Sequence, residues 1–223
     1  VSVARRKEDH CDDLSRDRHD HWYDSTGRLS AVYDALGNHD SYTFDSGNNL
    51  TQKQDRRGFN WNNTYDGMGN LLTAKDPYSN TTTYTYNGHN KPLTTTLPSG
   101  RSTVVAYDAY DNPTQVQEKD AGGTVLATTS YAYSYGLVTR KIDANTHITY
   151  YTYDGNGCLS SVTTPLGHQT QWAYDALGFQ TSRTDAMNRT TTYTPDAWER
   201  LVNTTYPDST TNTYSYDPNG NLE

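Results

Sequence analysis

By residue type, the histidines, cysteines, aspartates and tryptophans are the groups best suited to chemistry. His19 and His21 alternate along one stretch, with His10, Cys11, Asp17 and Asp20 nearby in sequence. Imidazole and thiolate suit zinc, but structural zinc sites hold their ligands in closely spaced pairs. No such pairing occurs here, so the stretch reads as a polar edge strand and no metal ligand is assigned. Regularly spaced aspartates bind calcium in some short repeats, but ligands 21 residues apart would not converge. Two carboxylates could serve glycoside hydrolysis at suitable separation, and Tyr150 or Tyr151 beside His147 could pass a proton. Among 20 tyrosines such neighbours arise by chance. Nucleophile-elbow, phosphate-loop and metalloprotease motifs are all missing. The sequence therefore assigns no catalytic residue and no cofactor, and a non-enzymatic role is expected. Trp61, Trp172 and Trp198 are the candidate glycan-binding residues, because an aromatic face amid Asn, Asp and Thr suits a sugar ring. The competing reading packs these rings between strands.

A repeat must position all of these groups. An aromatic residue followed by Asp recurs at Tyr23, Phe44, Tyr65, Tyr86, Tyr107, Tyr133, Tyr153, Tyr174 and Tyr216, with Pro195 in the same register. The spacing is 21 residues almost throughout, apart from one step of 26 and one of 20. The long step points to an insertion around residues 121–129. Asp24, Asp45, Asp66, Asp108, Asp154, Asp175, Asp196 and Asp217 follow their anchors, with Asn87 and Ser134 as variants. Four residues after the anchor come Gly27, Asn48, Gly69, Asn90, Asp111, Gly157, Gly178 and Gly220. These residue types tolerate positive φ. Each Tyr-Asp-x-x-Gly therefore predicts a turn, with Asp bonding back to the chain and Gly or Asn in the left-handed region. The repeats anchored at Tyr133 and Pro195 depart from the rule.

Leu29, Leu50, Leu71, Leu159, Leu201 and Leu222 stand six after their anchors, with Pro92 and Pro113 as departures. A second turn signal comes about eleven after the anchor, at Asp34, Asp55, Asp76, Asp185, or at Pro98, Pro165 and Pro207 one step later. A Thr- and Tyr-rich run then leads to the next anchor. Two turns and two β-prone runs per period predict one hairpin per repeat. Tyr42, Tyr84, Tyr131, Tyr151, Trp172, Tyr193 and Tyr214 precede their anchors by two residues, so each such strand should carry two rings on one face. No helical period is present. The expected fold is all-β, a curved or spiralling antiparallel sheet strip of about ten hairpins of roughly 21 residues. Residues 1–22 read as a degenerate repeat or charged edge, and residues 23–223 as the array.

Composition narrows the partners. Hydrophobic residues are only 32% of the chain, so a thin sheet fits better than a packed globule. The net charge of −8 argues against nucleic acid. No apolar run is long enough for a helical membrane span. Cys11 and Cys158 are read as unpaired, and Val1 as a cut point in a longer protein.

Tyr65-Asp66-Gly67-Met68-Gly69-Asn70-Leu71 and Tyr153-Asp154-Gly155-Asn156-Gly157-Cys158-Leu159 resemble the core of the RHS/YD-repeat family. The resemblance covers about residues 23–223. It implies a hollow β-shell, which encloses a C-terminal toxin in bacterial members and serves as an extracellular adhesion module in animal ones. It also implies a secreted or cell-surface protein. The expected partners are further repeats of the same protein or neighbouring copies, an enclosed toxin outside this chain, or polysaccharide. The chain stops within a repeat and lacks the toxin and self-cleavage segments of a complete family member. Asp217-Pro218-Asn219-Gly220 resembles a piece of the latter but reads as an ordinary repeat turn.

Overall fold

The computed structural model describes residues 5–7 and 20–223. His10, Cys11, Asp17 and His19 lie outside these residues, as does most of the degenerate segment expected over 1–22. Among the described residues there are twenty β-strands and no helix. They divide into two compact units, one running up to Val105 and including Gln117–Leu126, the other formed by Ala106–Val116 and Ala127–Glu223.

Through the first unit run β1 (Arg5–Lys7), β2 (Asp20–Tyr23), β3 (Leu29–Tyr33), β4 (His39–Phe44), β5 (Leu50–Gln54), β6 (Asn60–Tyr65), β7 (Leu71–Lys75), β8 (Thr81–Tyr86), β9 (Pro92–Thr96) and β10 (Ser102–Tyr107). Each pairs antiparallel with the next. After β11 (Pro113–Lys119), the second unit continues through β12 (Val125–Ser134), β13 (Leu137–Ile142), β14 (Ile148–Tyr153), β15 (Leu159–Thr163), β16 (Gln169–Tyr174), β17 (Gln180–Thr184), β18 (Thr190–Pro195), β19 (Leu201–Thr205) and β20 (Thr211–Thr213). From β12 onward each strand again pairs antiparallel with its successor. The all-β array of antiparallel hairpins expected from the repeat is thus the fold of each unit.

The anchor residue lies opposite the Leu that follows it by six, as in Phe44 with Leu50, Tyr65 with Leu71 and Tyr153 with Leu159. The preceding residue pairs two positions further on, Thr43 with Gln52 and Thr64 with Thr73, so Thr51 and Leu72 are bulged. One extra residue in one strand is the definition of a β-bulge. Each bulge joins a five-residue strand to a six-residue strand. With two five-residue turns, these make the odd period of 21.

The anchor strand itself keeps strict alternation. Tyr84 and Tyr86 in β8 are half-buried, while Thr83 and Thr85 between them are exposed. β14, β16 and β18 repeat this alternation toward their anchors. The rings at the anchor and two residues before it therefore share the more covered face in β8, β14 and β16, and the residues between them, such as Thr85, Thr152 and Ala173, occupy the wetter one. Among the described residues only Ala31, Ser161 and Thr204 are buried, and no large side chain is fully enclosed. Without a core, cohesion comes from cross-strand pairs, each worth roughly 0.2–1 kcal/mol, and from the turns.

The long sequence step is accommodated in the strands, not in a loop. The turn at Asp120 is ordinary, with the Asp120 N–H donating to Thr124 O at 3.0 Å. The added residues lengthen β11 to 7 residues and β12 to 10. In strands their backbone groups find partners, which a loop of the same length would leave to water.

Candidate functional site

The recurrent feature of this chain is its turn, and both turns of every repeat but the one anchored at Tyr133 are the same object. In the first, the Asp24 N–H donates to Arg28 O at 2.8 Å and the Gly27 N–H to Asp24 O at 3.0 Å. In the second, Asp34 and Gly37 make the equivalent bonds at 2.9 and 3.0 Å. This is a type I turn followed by a left-handed residue, a common three-residue hairpin loop. The fourth position has positive φ in every such turn, from Gly178 at 92° to Asn188 at 58°. Asp66 shows the role of the first residue. Its Oδ1 accepts the N–H groups of Met68 and Asn70, both at 2.9 Å, and its Oδ2 accepts Asn70 Nδ2 at 2.8 Å. Tyr23, Tyr65, Tyr86, Tyr107, Tyr153, Tyr174 and Tyr216 each directly precede such a turn, and Asp24, Asp108, Asp154, Asp175 and Asp217 each open one. Gly27, Gly157, Gly178 and Gly220 take the left-handed position.

Leu97, Thr164 and Tyr206 open turns with the same two backbone bonds but have no carboxylate of their own, although in the last Asp208 Oδ1 accepts the Thr210 N–H at 3.0 Å. Pro98, Pro165 and Pro207 stand at the next position, where proline's fixed φ prepares a type I turn. Repeat Pro195 also obeys the rule after all, because Glu199 adopts φ 62°. At Tyr133 the turn is different. Tyr135 and Gly136, at φ 52° and 78°, form a two-residue loop between Ser134 and Leu137, which is the type I′ geometry of tight hairpins.

Hydrogen bonds hold several of the turn carboxylates below their ordinary range. The Thr26 hydroxyl and then the Arg28 N–H depress Asp24 strongly. The Arg189 side chain and then its N–H lower Asp185 to about 2. Asn49, Asn70, Asn80 and Asn112 do the same for Asp45, Asp66, Asp76 and Asp108, side-chain amide first. These oxygens are occupied by their own turns. A shared calcium site would have to break those bonds, and among the described residues no group of three or more His, Cys, Asp or Glu stands together.

The anchor ring supplies a second recurrent bond. Tyr65 Oη donates to Leu50 O at 3.0 Å, Tyr86 Oη to Leu71 O at 2.9 Å, Tyr153 Oη to Val138 O at 2.9 Å, and Tyr216 Oη to Leu201 O at 2.9 Å. The donor closes the open end of a hairpin whose other end is a turn. The acceptor adjoins the bulge, where the ladder is interrupted. Partial burial raises the Tyr86, Tyr107, Tyr133 and Tyr174 hydroxyls above their ordinary value. Neighbouring turns also touch, as Arg28 Nη1 donates to Asp45 O at 2.9 Å and to Asn48 Oδ1 at 2.8 Å.

The RHS Repeat family profile matches residues 23–59, 86–125, 153–186 and 174–211, more than half of the chain. The chain belongs to the RHS repeat family. The crystal structure of TcdB2-TccC3 without its hypervariable C-terminal region overlays with a TM-score of 0.70 at 16% identity, covering 92% of this chain and 12% of that one. A second TcdB2-TccC3 crystal structure gives a TM-score of 0.46 at 18% identity, covering 93% of this chain and 16% of that one. Only the first overlay is close enough to carry the fold. This chain thus spans about an eighth of its structural relative. No curated protein sequence matches it.

On this RHS scaffold the three tryptophans occupy different settings. Trp61 lies in β6 of the first unit, opposite Lys53, whose Nζ is 5.7 Å from the ring centre. Trp172 lies within β16 opposite Arg183. Trp198 stands at a turn tip, 76% exposed, with the Arg200 guanidinium 5.0 Å from its ring. His147 Nδ1 is 3.2 Å from Asp143 Oδ2 of its own turn, which leaves that pair in the turn framework. A shallow cleft of about 200 Å³ in the first unit is lined by Thr95, Leu97, Arg101, Thr103, Glu118 and Lys119. Among the described residues no helix is long and apolar enough to cross a membrane. Asp217-Pro218-Asn219-Gly220 forms an ordinary turn, with the Gly220 N–H donating to Asp217 O at 2.9 Å.

Sequence reasoning passed over one set of positions. The third residue of the turn carries Leu36, Met68, Tyr78, Tyr110, Leu166, Leu177, Met187 and Trp198, all between 72% and 88% exposed. The signal was present as a large apolar residue directly before the left-handed position.

Proposed function

We propose that this chain is a wall segment of a secreted or cell-surface RHS-repeat shell, with a toxin domain elsewhere in the same protein as its content. The supporting observation is the uniform repeat. The same turn and the same tyrosine clasp recur along the chain, and among the described residues no group of three or more His, Cys, Asp or Glu interrupts them. A coreless sheet held by identical local bonds is suited to covering area. The TcdB2-TccC3 overlay supports the wall reading through its fold. Enclosure, secretion and the toxin are the proposal's own content.

The test is to express the full-length protein and image it. A hollow particle with residues 23–223 in its wall is the expected result. A solid particle, or an open fibre without a lumen, would refute the shell. Fractionation of the producing cells tests location, and retention of all the protein in the cytoplasm would count against it. Polysaccharide binding through Trp61, Trp172 and Trp198 is a separate proposal. A glycan array read with Trp61→Ala and Trp172→Ala would decide it, and unchanged binding in both variants would end it.

A further inference from the structure

The hairpins that end at Tyr65, Tyr86, Tyr133, Tyr153, Tyr174 and Tyr216 are fastened at both ends, by a turn at one and by the tyrosine clasp at the other. Phe44 and Pro195 have no hydroxyl, so the open ends of β3–β4 and β17–β18 carry no clasp. The two hairpins meet this loss differently.

At β3–β4 a substitute is present. Arg28, the last residue of the preceding anchor turn, reaches across the open end. Its Nη1 donates to Asp45 O at 2.9 Å and to Asn48 Oδ1 at 2.8 Å, and its guanidinium lies 4.9 Å from the Phe44 ring centre. Asn70 makes the same reach to Asn90 Oδ1 at 2.8 Å. Arg200 in the same position lies 4.5 Å from the Tyr216 ring centre. At β17–β18 the equivalent residue is Phe179, and the residue it would reach is Glu199. A phenyl ring has no donor to give a carboxylate. Proline adds a further deficit. Pro195 lies in β18, between β17 and β19, and has no N–H to give to either. Proline is confined to strand edges, first residues and bulges for that reason, and Pro195 sits where the β18–β19 register shifts.

The other end of this hairpin is secure. The Asp185 N–H donates to Arg189 O at 3.0 Å, and Arg189 Nε to Asp185 Oδ2 at 2.8 Å. Between the ends the ladder runs from Thr184 opposite Thr190 to Ser182 opposite Thr192. The β15–β16 hairpin has a ladder of the same length, from Thr163 opposite Gln169 to Ser161 opposite Gln171, and it keeps its clasp, from Tyr174 Oη to Leu159 O at 3.1 Å. The two hairpins therefore differ chiefly in how their open ends are held.

We infer that the β17–β18 hairpin is a built-in seam of the second unit. Its open end separates first, with the Asp185–Arg189 turn as the hinge, while the clasped hairpins beside it stay closed. Opening there uncovers unpaired N–H and C=O groups of two strands within the sheet. The inference concerns this chain alone and does not depend on the wall reading.

Hydrogen exchange of the chain at neutral pH, read peptide by peptide, tests it. Exchange reports the free energy of local opening. After correction for intrinsic rates, residues 180–195 should exchange about fivefold or more faster than residues 159–174 of the same molecules. Two variants refasten the open end. Pro195→Tyr supplies the hydroxyl and the N–H, and Phe179→Arg supplies the reach that Arg28 makes. Either should bring residues 180–195 to within about twofold of residues 159–174 and leave residues 60–86 unchanged. Equal or slower exchange over 180–195 in the wild type overturns the inference. So does a difference that persists in every folded variant, since the open end would then not be its cause. Phe179→Arg leaves the strand backbone as it is, so the test stands even where Pro195→Tyr does not fold.

Discussion

At the scale of single residues, the turn is the unit in which stability is decided. Thr146 takes φ 65° although it is β-branched, a conformation unfavourable for side chains of that kind. Thr146→Gly should raise stability by about 1 kcal/mol in urea unfolding. Asp66 accepts two backbone N–H groups of its turn, and Asn87 does the same work with His89 and Lys91. Asp66→Asn should therefore be mild and Asp66→Ala clearly destabilising, as read from the urea midpoint. Protonation probes the same bonds. Asp45, Asp66, Asp76, Asp108 and Asp185 have folded values below the ordinary 3.8, about 2 for Asp185. Their contribution is complete above about pH 4. It falls away as pH drops through the folded values, because the unfolded chain binds protons first. Urea midpoints should hold between pH 5 and pH 8, to within about the scatter of neutral mutants, and fall steeply between about pH 4 and pH 2. Tyrosine gives the opposite limit, since Tyr86 and Tyr174 are raised above 10.0. Stability should be lost as pH climbs past about 10, where the unfolded phenols ionise first.

At the scale of elements, the clasp and the bulge act together. Tyr86→Phe removes the 2.9 Å bond to Leu71 O and leaves the ring in place. A loss of about 1 kcal/mol is expected. Phe44 and Pro195 already occupy anchor positions without a hydroxyl, so the strip tolerates isolated losses of this bond. Deleting the bulged Thr51 is a different change. It would leave Leu50 opposite Phe44 and Gln52 opposite Thr43 but remove the bulge, and with it the local bend beside Leu50 O, the acceptor of the Tyr65 clasp. The urea midpoint should fall further than in Tyr86→Phe, and hydrogen exchange should quicken from β4 through β6. The anchors, the turn aspartates and the left-handed positions were legible in the sequence because each follows from a residue type at a fixed offset. The bulge was not, because Thr51 and Leu72 look like any strand residue and are marked only by their partners across the sheet.

At the scale of the whole molecule, among the described residues each strand contacts its neighbours in sequence within its unit and no others. Such arrays behave as sums of repeats and nearest-neighbour interfaces. Removing residues 66–86, one complete period, joins Tyr65 to Asn87 and restores the repeat phase. That deletion should fold with a β-type circular dichroism spectrum and cooperative unfolding. Removal of ten residues would reverse the strand direction at the junction, and loss of cooperativity is expected.

The period, the all-β hairpin array, the first turn of every repeat but those anchored at Tyr133 and Pro195, and the family were all readable from residue order alone. These are local properties, written into Tyr, Asp, Gly and Leu at fixed spacing. The fold added that both turns of nearly every repeat are alike, that Pro98 and Pro165 replace the opening carboxylate's role in presetting the turn, and that the long step at Tyr107 lengthens strands. It also decided which face is wet and which residues project from the edges. Those outcomes depend on what lies opposite a residue in the neighbouring strand. One-dimensional spacing does not carry that information until the register is set.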